Sequence, residues 1–72
     1  METLASFGSR SEAVKLFNVL KNKRIAAYMI NTPSSLRAGC GLSVVFPSHN
    51  RLEVNMLIWQ LGFVSFMGFF VK

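Results

Sequence analysis

The chain has 72 residues, of which 51 % are hydrophobic and 15 % charged, and eight basic residues against three acidic ones give a net charge of +5. That composition excludes an intrinsically disordered chain, and the length leaves room for one domain over residues 1–72 and no deep cleft between domains. A single cysteine excludes an internal disulfide framework and a multi-thiolate zinc site, so a reducing cytoplasm is the expected setting.

Along the chain, Thr3–Phe7 (TLASF) reads as a short strand ended by Gly8. Ser9 and Glu12 are spaced as a capping box, the hydroxyl and the carboxylate each covering a backbone N–H of the first helical turn. Ala13, Leu16, Phe17 and Leu20 recur at i, i+3, i+4, i+7, so one stripe of a first helix faces the core. The pattern fades at Lys21-Asn22-Lys23, where cations suit a helix C-terminus. Arg24–Asn31 (RIAAYMIN) reads as a buried strand. Thr32–Gly41 (TPSSLRAGCG) is turn-rich, with Thr-Pro placed to start a helical turn.

Leu42–Phe46 (LSVVF) is the next strand and Pro47 closes it. Asn50 and Glu53 form a second candidate capping box before a helix that runs to Leu61. Val54, Leu57, Ile58 and Leu61 make its main stripe, with Leu52, Met56 and Trp59 lying off it. Gly62 fits the left-handed residue after a helix. Phe63–Val71 is a final strand, nearly apolar on both faces.

The order β-α-β-β-α-β is the split βαβ arrangement of ferredoxin-like domains, an α+β two-layer sandwich with two helices on one face of a four-stranded antiparallel sheet. From Val54 to Val71 no residue is charged, a length close to that of a membrane helix. Asn55, Gln60, Gly62, Ser65 and Gly68 interrupt it, so a helix, a stop and a strand are expected and a membrane partner is not. Side chains alternate across a strand, so Phe66, Met67, Phe69, Phe70 and Val71 cannot all face one core. With Trp59 and Met56 they point to a covered interface, such as a homodimer.

The connection between the second and third strands runs about ten residues, whereas hairpin loops usually take two to five. It holds the only cysteine, in Arg37-Ala38-Gly39-Cys40-Gly41. Glycines on both sides of Cys40 permit unusual backbone angles, and successive N–H groups there can turn toward the sulfur as an anion nest. In the ferredoxin-like topology the first and third strands are antiparallel neighbours, so Ser9 and Arg10 at the start of the first helix come close to Cys40. A helix N-terminus and nearby arginines favour a thiolate, the reactive form of cysteine. Cys40 is therefore the candidate reactive residue, with Gly39, Gly41, Arg37, Ser9 and Arg10 stabilising its anion.

Other constellations fail. Cys40 and His49 lie at opposite ends of an extended strand, out of hydrogen-bond reach. Glu2, Glu12 and Glu53 are isolated, and no metal or cofactor motif is present. The basic residues are spread out and no aromatic RNA-binding signature accompanies them, so nucleic acid is not an expected partner.

The stretch from Ser6 to Phe46 resembles the putative selenium/sulfur carrier protein-like family of small bacterial proteins. The resemblance rests on a strand with serine before the first helix, Ala13 in that helix, a Thr-Pro start to the loop, and Ala-Gly-Cys-Gly-Leu leading into a strand. Its most specific piece is TPSSLRAGCGL. Members of the family commonly carry a basic residue just after the loop proline; here Ser34 stands there, and Arg37 supplies charge from another point on the loop. The resemblance implies a cytoplasmic bacterial protein, not an enzyme, whose Cys40 holds sulfur or selenium as a persulfide or perselenide between donor and acceptor proteins. The rival expectation is a small non-catalytic binding or docking module, for which the apolar last strand and Trp59 speak.

Overall fold

Alternating small and apolar residues in the first segment give strand β1 (Glu2–Phe7), which is buried from Thr3 to Phe7. Such burial on both faces marks a central strand. In the computed structural model, which describes residues 1–32 and 41–71, β1 is followed by α1 (Arg10–Asn22), β2 (Tyr28–Asn31), β3 (Leu42–Pro47), a 3-10 turn (Ser48–Asn50), α2 (Arg51–Leu61) and β4 (Phe66–Val71). The sheet order is β2-β3-β1-β4. Every pairing is antiparallel, with Phe7 opposite Leu42, Leu4 opposite both Val45 and Phe70, and Asn31 opposite Leu42. This is the α+β ferredoxin-like sandwich expected from the element order.

The second and last strands begin later than the sequence reading places them, at Tyr28 and Phe66, because the residues that follow each helix belong to its stop and to the connection after it. Arg24 adopts a left-handed conformation, φ 61°. Its N–H donates to the Lys21 carbonyl at 3.0 Å and that of Ile25 to the Leu20 carbonyl at 2.9 Å. These are the paired bonds of a Schellman stop, with Ile25 and Leu20 supplying the apolar contact that accompanies it. Residues 24 and 25 thus close α1, and the second strand is not buried Arg24–Asn31 but a four-residue edge strand with Tyr28 and Asn31 exposed. Gly62 (φ 69°) closes α2 as expected, and the Phe63 N–H donates to the Ile58 carbonyl at 3.4 Å. The final strand accordingly begins at Phe66, not Phe63.

An arginine in the left-handed region costs about 1–2 kcal/mol, of which the greater unfolded-state freedom of glycine would take back about 0.4–1 kcal/mol. Arg24→Gly is therefore expected to stabilise the protein by roughly 0.5–1 kcal/mol, or about 2–8 °C in Tm for a domain of this size. A thermal melt showing no gain would mean that the exposed Arg24 side chain makes a compensating contribution.

The core lies between sheet and helices. Ala5, Phe7, Leu42, Val44 and Phe46 meet Ala13, Leu16 and Leu20 of α1 and Val54, Leu57 and Ile58 of α2. An aromatic file runs through it: Phe63 meets Phe7 edge-on at 5.5 Å, Phe7 meets Phe66 at 5.6 Å, Phe66 meets Phe69 at 4.9 Å, and Phe69 meets Phe46 at 5.9 Å. Phe66 and Phe69 are three residues apart, a spacing that in a regular strand would place them on opposite faces. The register shifts between Ser6 and Phe7, which pair with Gly68 and Phe66 and skip Met67. That one-residue bulge puts both rings on the helix side. Phe70 belongs to the opposite face, where its ring lies beside Gly68; a Cβ on that glycine would stand 3.8 Å from the Phe70 Cζ.

No helix among the described residues is long and apolar enough to cross a membrane; the uncharged run from Val54 to Val71 is divided by Gly62 into a helix and a strand. His49 lies exposed in the 3-10 turn, as expected of a residue before the second helix.

Candidate functional site

The neck of the cysteine loop is built by the last rung of the β2–β3 ladder, Asn31 opposite Leu42. Beyond it the Thr32 N–H donates to the Gly41 carbonyl. The Thr32 and Ser43 hydroxyls hydrogen-bond to each other, and both residues are buried. Gly41 sits at φ 76°, a conformation that a residue with a Cβ adopts only at a cost. The glycine after the cysteine therefore serves the turn into β3. Arg37, Gly39 and Cys40 lie outside the described residues, as does the rest of the Pro33–Cys40 segment.

The start of α1 stands beside this neck. Phe7 is opposite Leu42, so the chain leaving β1 through Gly8 to Ser9 and Arg10 is adjacent to the chain entering β3 from Gly41. Sequence reasoning expected this convergence from the topology. Ser9 is the N-cap: its Oγ accepts from the Glu12 N–H at 3.5 Å and lies 2.9 Å from the Ser11 Oγ. Arg10 opens the helix and is exposed.

The other half of the expected capping box is not made. The Glu12 carboxylate turns away from the Ser9 amide and holds the α2–β4 connection instead. Its Oε1 accepts from the Ser65 N–H at 2.9 Å and the Ser65 Oγ at 2.6 Å, and its Oε2 from the Val64 N–H at 3.2 Å. Ser65 takes over the missing task, since its Oγ accepts from the Ser9 N–H at 3.1 Å while its carbonyl accepts from the Gly8 N–H at 2.8 Å. The second candidate box fails outright: Asn50 stands at the N-cap of α2 but makes no side-chain cap bond. The 3-10 turn that precedes it is held by Ser48, whose N–H donates to the Met1 carbonyl at 3.0 Å and whose Oγ lies 2.7 Å from the Thr3 Oγ1.

These bonds set the electrostatics of the helix start. The hydrogen bonds from Ser65, then that from Val64 and the charge of Lys15, hold the Glu12 carboxyl below its ordinary value of 4.5, against the opposing pull of partial burial. An ionised carboxylate in the first turn satisfies the positive end of the helix. Among the described residues, the capping bonds engage the amides of Ser9 and Glu12. The amides of Arg10 and Ser11 and the Arg10 guanidinium are what the helix start offers to a further anion.

Sequence reasoning missed Ser65, Thr32 and Ser43. Thr32 and Ser43 continue into a buried polar strip on the sheet face away from the helices. There Ser43 is opposite Ser6, whose buried hydroxyl has no hydrogen-bond partner among the described residues. Serine in a strand that otherwise reads LSVVF is the only local signal for this strip, and nothing in the sequence signals the pairing of Ser65 with a helix start 53 positions earlier.

A family model described as "Putative Se/S carrier protein-like" matches residues 2–62, from β1 to the glycine that ends α2. No curated protein and no solved structure matches the chain.

Proposed function

Since the chain belongs to the putative Se/S carrier protein-like family, we propose that Cys40 carries a sulfane sulfur or selenium atom between a donor and an acceptor protein. The supporting observation is the register that sets the neck of the cysteine loop, Thr32 and Gly41, beside the start of α1. There the Arg10 and Ser11 amides and the Arg10 charge favour an anion, and Arg37, Gly39 and Gly41 add charge and amides from the loop itself.

The step is an exchange at sulfur. The Cys40 thiolate attacks the outer sulfur of a donor persulfide, a new S–S bond forms on Cys40, and the donor leaves as a thiolate. An acceptor nucleophile then attacks the outer atom and Cys40 leaves as a thiolate, so no external oxidant or reductant is needed. The chain has no second cysteine, so the acceptor must release the cargo. In this role the protein is a carrier rather than an enzyme, and the setting that suits it is a reducing cytoplasm.

Incubation with a cysteine desulfurase and free cysteine, followed by intact-protein mass spectrometry, should add the mass of one sulfur to the wild-type chain and none to Cys40→Ser. An unmodified wild-type chain, or an adduct that persists in Cys40→Ser, overturns the reading. A docking module without covalent chemistry would instead keep its full activity in Cys40→Ser.

A further inference from the structure

Three hydroxyls lie side by side on the sheet face away from the helices. Ser6 of β1 is opposite Ser43 of β3, and the Ser43 Oγ is bonded to the Thr32 Oγ1 just beyond the end of β2. Ser6 and Ser43 are 0 % exposed and Thr32 is 5 % exposed. On the other flank of Ser6 stands Gly68 of β4, so β4 offers that hydroxyl no side-chain partner.

Each hydroxyl brings one proton to donate. The Thr32–Ser43 bond uses one of the three, whichever of the two donates it. The hydroxyl that accepts within the pair keeps its own proton, and the Ser6 hydroxyl makes no hydrogen bond at all. Two buried donors are thus without an acceptor among the described residues. Such groups cost folding free energy, and a strip that keeps them has a use for them. The carboxylates are engaged elsewhere: Glu12 takes Ser65 and Val64, Glu2 takes Tyr28, and Glu53 stands in the first turn of α2. Unused donors of this kind suit an anion, whose hydrogen bonds are the strong ones. The group of this chain that fits is the Cys40 thiolate. Cys40 precedes Ser43 by three residues, so the covalent chain alone keeps the two Cα atoms within about 11 Å. The carbonyl of its neighbour Gly41 is held by the Thr32 N–H, inside the same strip.

We propose that Ser6, Ser43 and Thr32 form a donor strip for the anionic sulfur of Cys40, with the Ser6 hydroxyl and the free proton of the Thr32–Ser43 pair donating to it. The proposal rests on the reading of Cys40 as the residue that carries sulfur or selenium, and adds to it donors from the sheet itself. A thiolate stabilised in this way is also the better leaving group when an acceptor takes the cargo.

The rate of Cys40 alkylation by iodoacetamide, followed across pH on the full chain with no sulfur donor present, tests the strip. Removing a hydrogen bond to an anion lowers the thiolate fraction, so Ser6→Ala should slow the reaction at neutral pH about tenfold. The midpoint of the profile should move upward, and Ser43→Ala should move it in the same direction. Ser6→Ala should nevertheless melt no lower than the wild type, because it removes a hydroxyl without a partner in the fold. An unshifted profile in either variant overturns the proposal, and so does a lower melting temperature in Ser6→Ala. Desulfurase loading separates this proposal from the reading beneath it. A wild type that takes no sulfur while Ser6→Ala still shifts the profile removes the carrier and keeps the donor strip; normal loading with an unshifted profile does the reverse.

Discussion

Replacing Phe7 by alanine is expected to remove about 3–5 kcal/mol of folding stability. The side chain is fully buried and stands at the hub of the aromatic file, with Phe63 at 5.5 Å and Phe66 at 5.6 Å. Truncation removes the transfer free energy of the ring and leaves a cavity that neither neighbour can fill, because both are held on the backbone of the α2–β4 connection and of β4. A chain of this length has a total stability of only about 4–11 kcal/mol, so the variant should be partly or wholly unfolded at 37 °C. The loss should also reach the neck of the cysteine loop, since Phe7 is the residue opposite Leu42. Urea unfolding compared with Val64→Ala, whose side chain is 90 % exposed and whose truncation should change stability by no more than about 0.5 kcal/mol, provides the measurement. A loss below about 1 kcal/mol in Phe7→Ala would contradict the described packing.

The second large effect concerns acid. Glu12 is held below 4.5 in the folded protein, so folding favours its ionised form. The stability this gives is therefore fully present above pH 4.5, declines as the pH falls from there through the lowered folded value, and is gone below it. Glu12→Gln keeps an oxygen for Ser65 but turns an amide N–H toward the Val64 N–H, and it removes the charge from the first turn of α1. The difference in unfolding free energy between wild type and variant should be largest at neutral pH and vanish in acid. Glu2 and Glu53 are common to both proteins and cancel in that difference. Denaturant titrations across the acid range measure it directly. A difference that is independent of pH would show that the Glu12 carboxylate does not anchor the α2–β4 connection. Detaching Val64 and Ser65 should also free the Ser9 amide at the helix start, because Ser65 is the link between the two.

The nearness of the α1 start to the start of β3 was legible because it follows from topology. Six elements in the order β-α-β-β-α-β restrict the sheet to few arrangements, and the one adopted makes β1 and β3 neighbours. The start of α1 and the start of β3 then share one end of the sheet wherever the individual side chains point. The Thr32–Gly41 stretch, with its glycines and lone cysteine, stands out in the sequence by its length and composition; its Pro33–Cys40 part lies outside the described residues. What Ser9 and Glu12 do there was only half legible. The spacing of a capping box is a local signal, and it correctly marks the helix start. The carboxylate's choice between the Ser9 amide and two amides of the α2–β4 connection depends on a chain segment more than fifty residues away.

The same division runs through the fold. Periodicity in the residue order placed both helices, their buried stripes and the Gly62 stop, because each of these depends on neighbours within one or two turns. It could not place Arg24 in a left-handed stop, since that requires Ile25 to find the core and the strand after it to begin late. Nor could it seat Phe66 and Phe69 on one face, because the bulge that allows this lies in the pairing of β4 with β1 and not in β4 alone. Local order along the chain is set by short-range sterics and hydrogen bonding; register, edge exposure and the partners of the Glu12 carboxylate are set by contacts between distant segments, which come into being only when the sheet assembles.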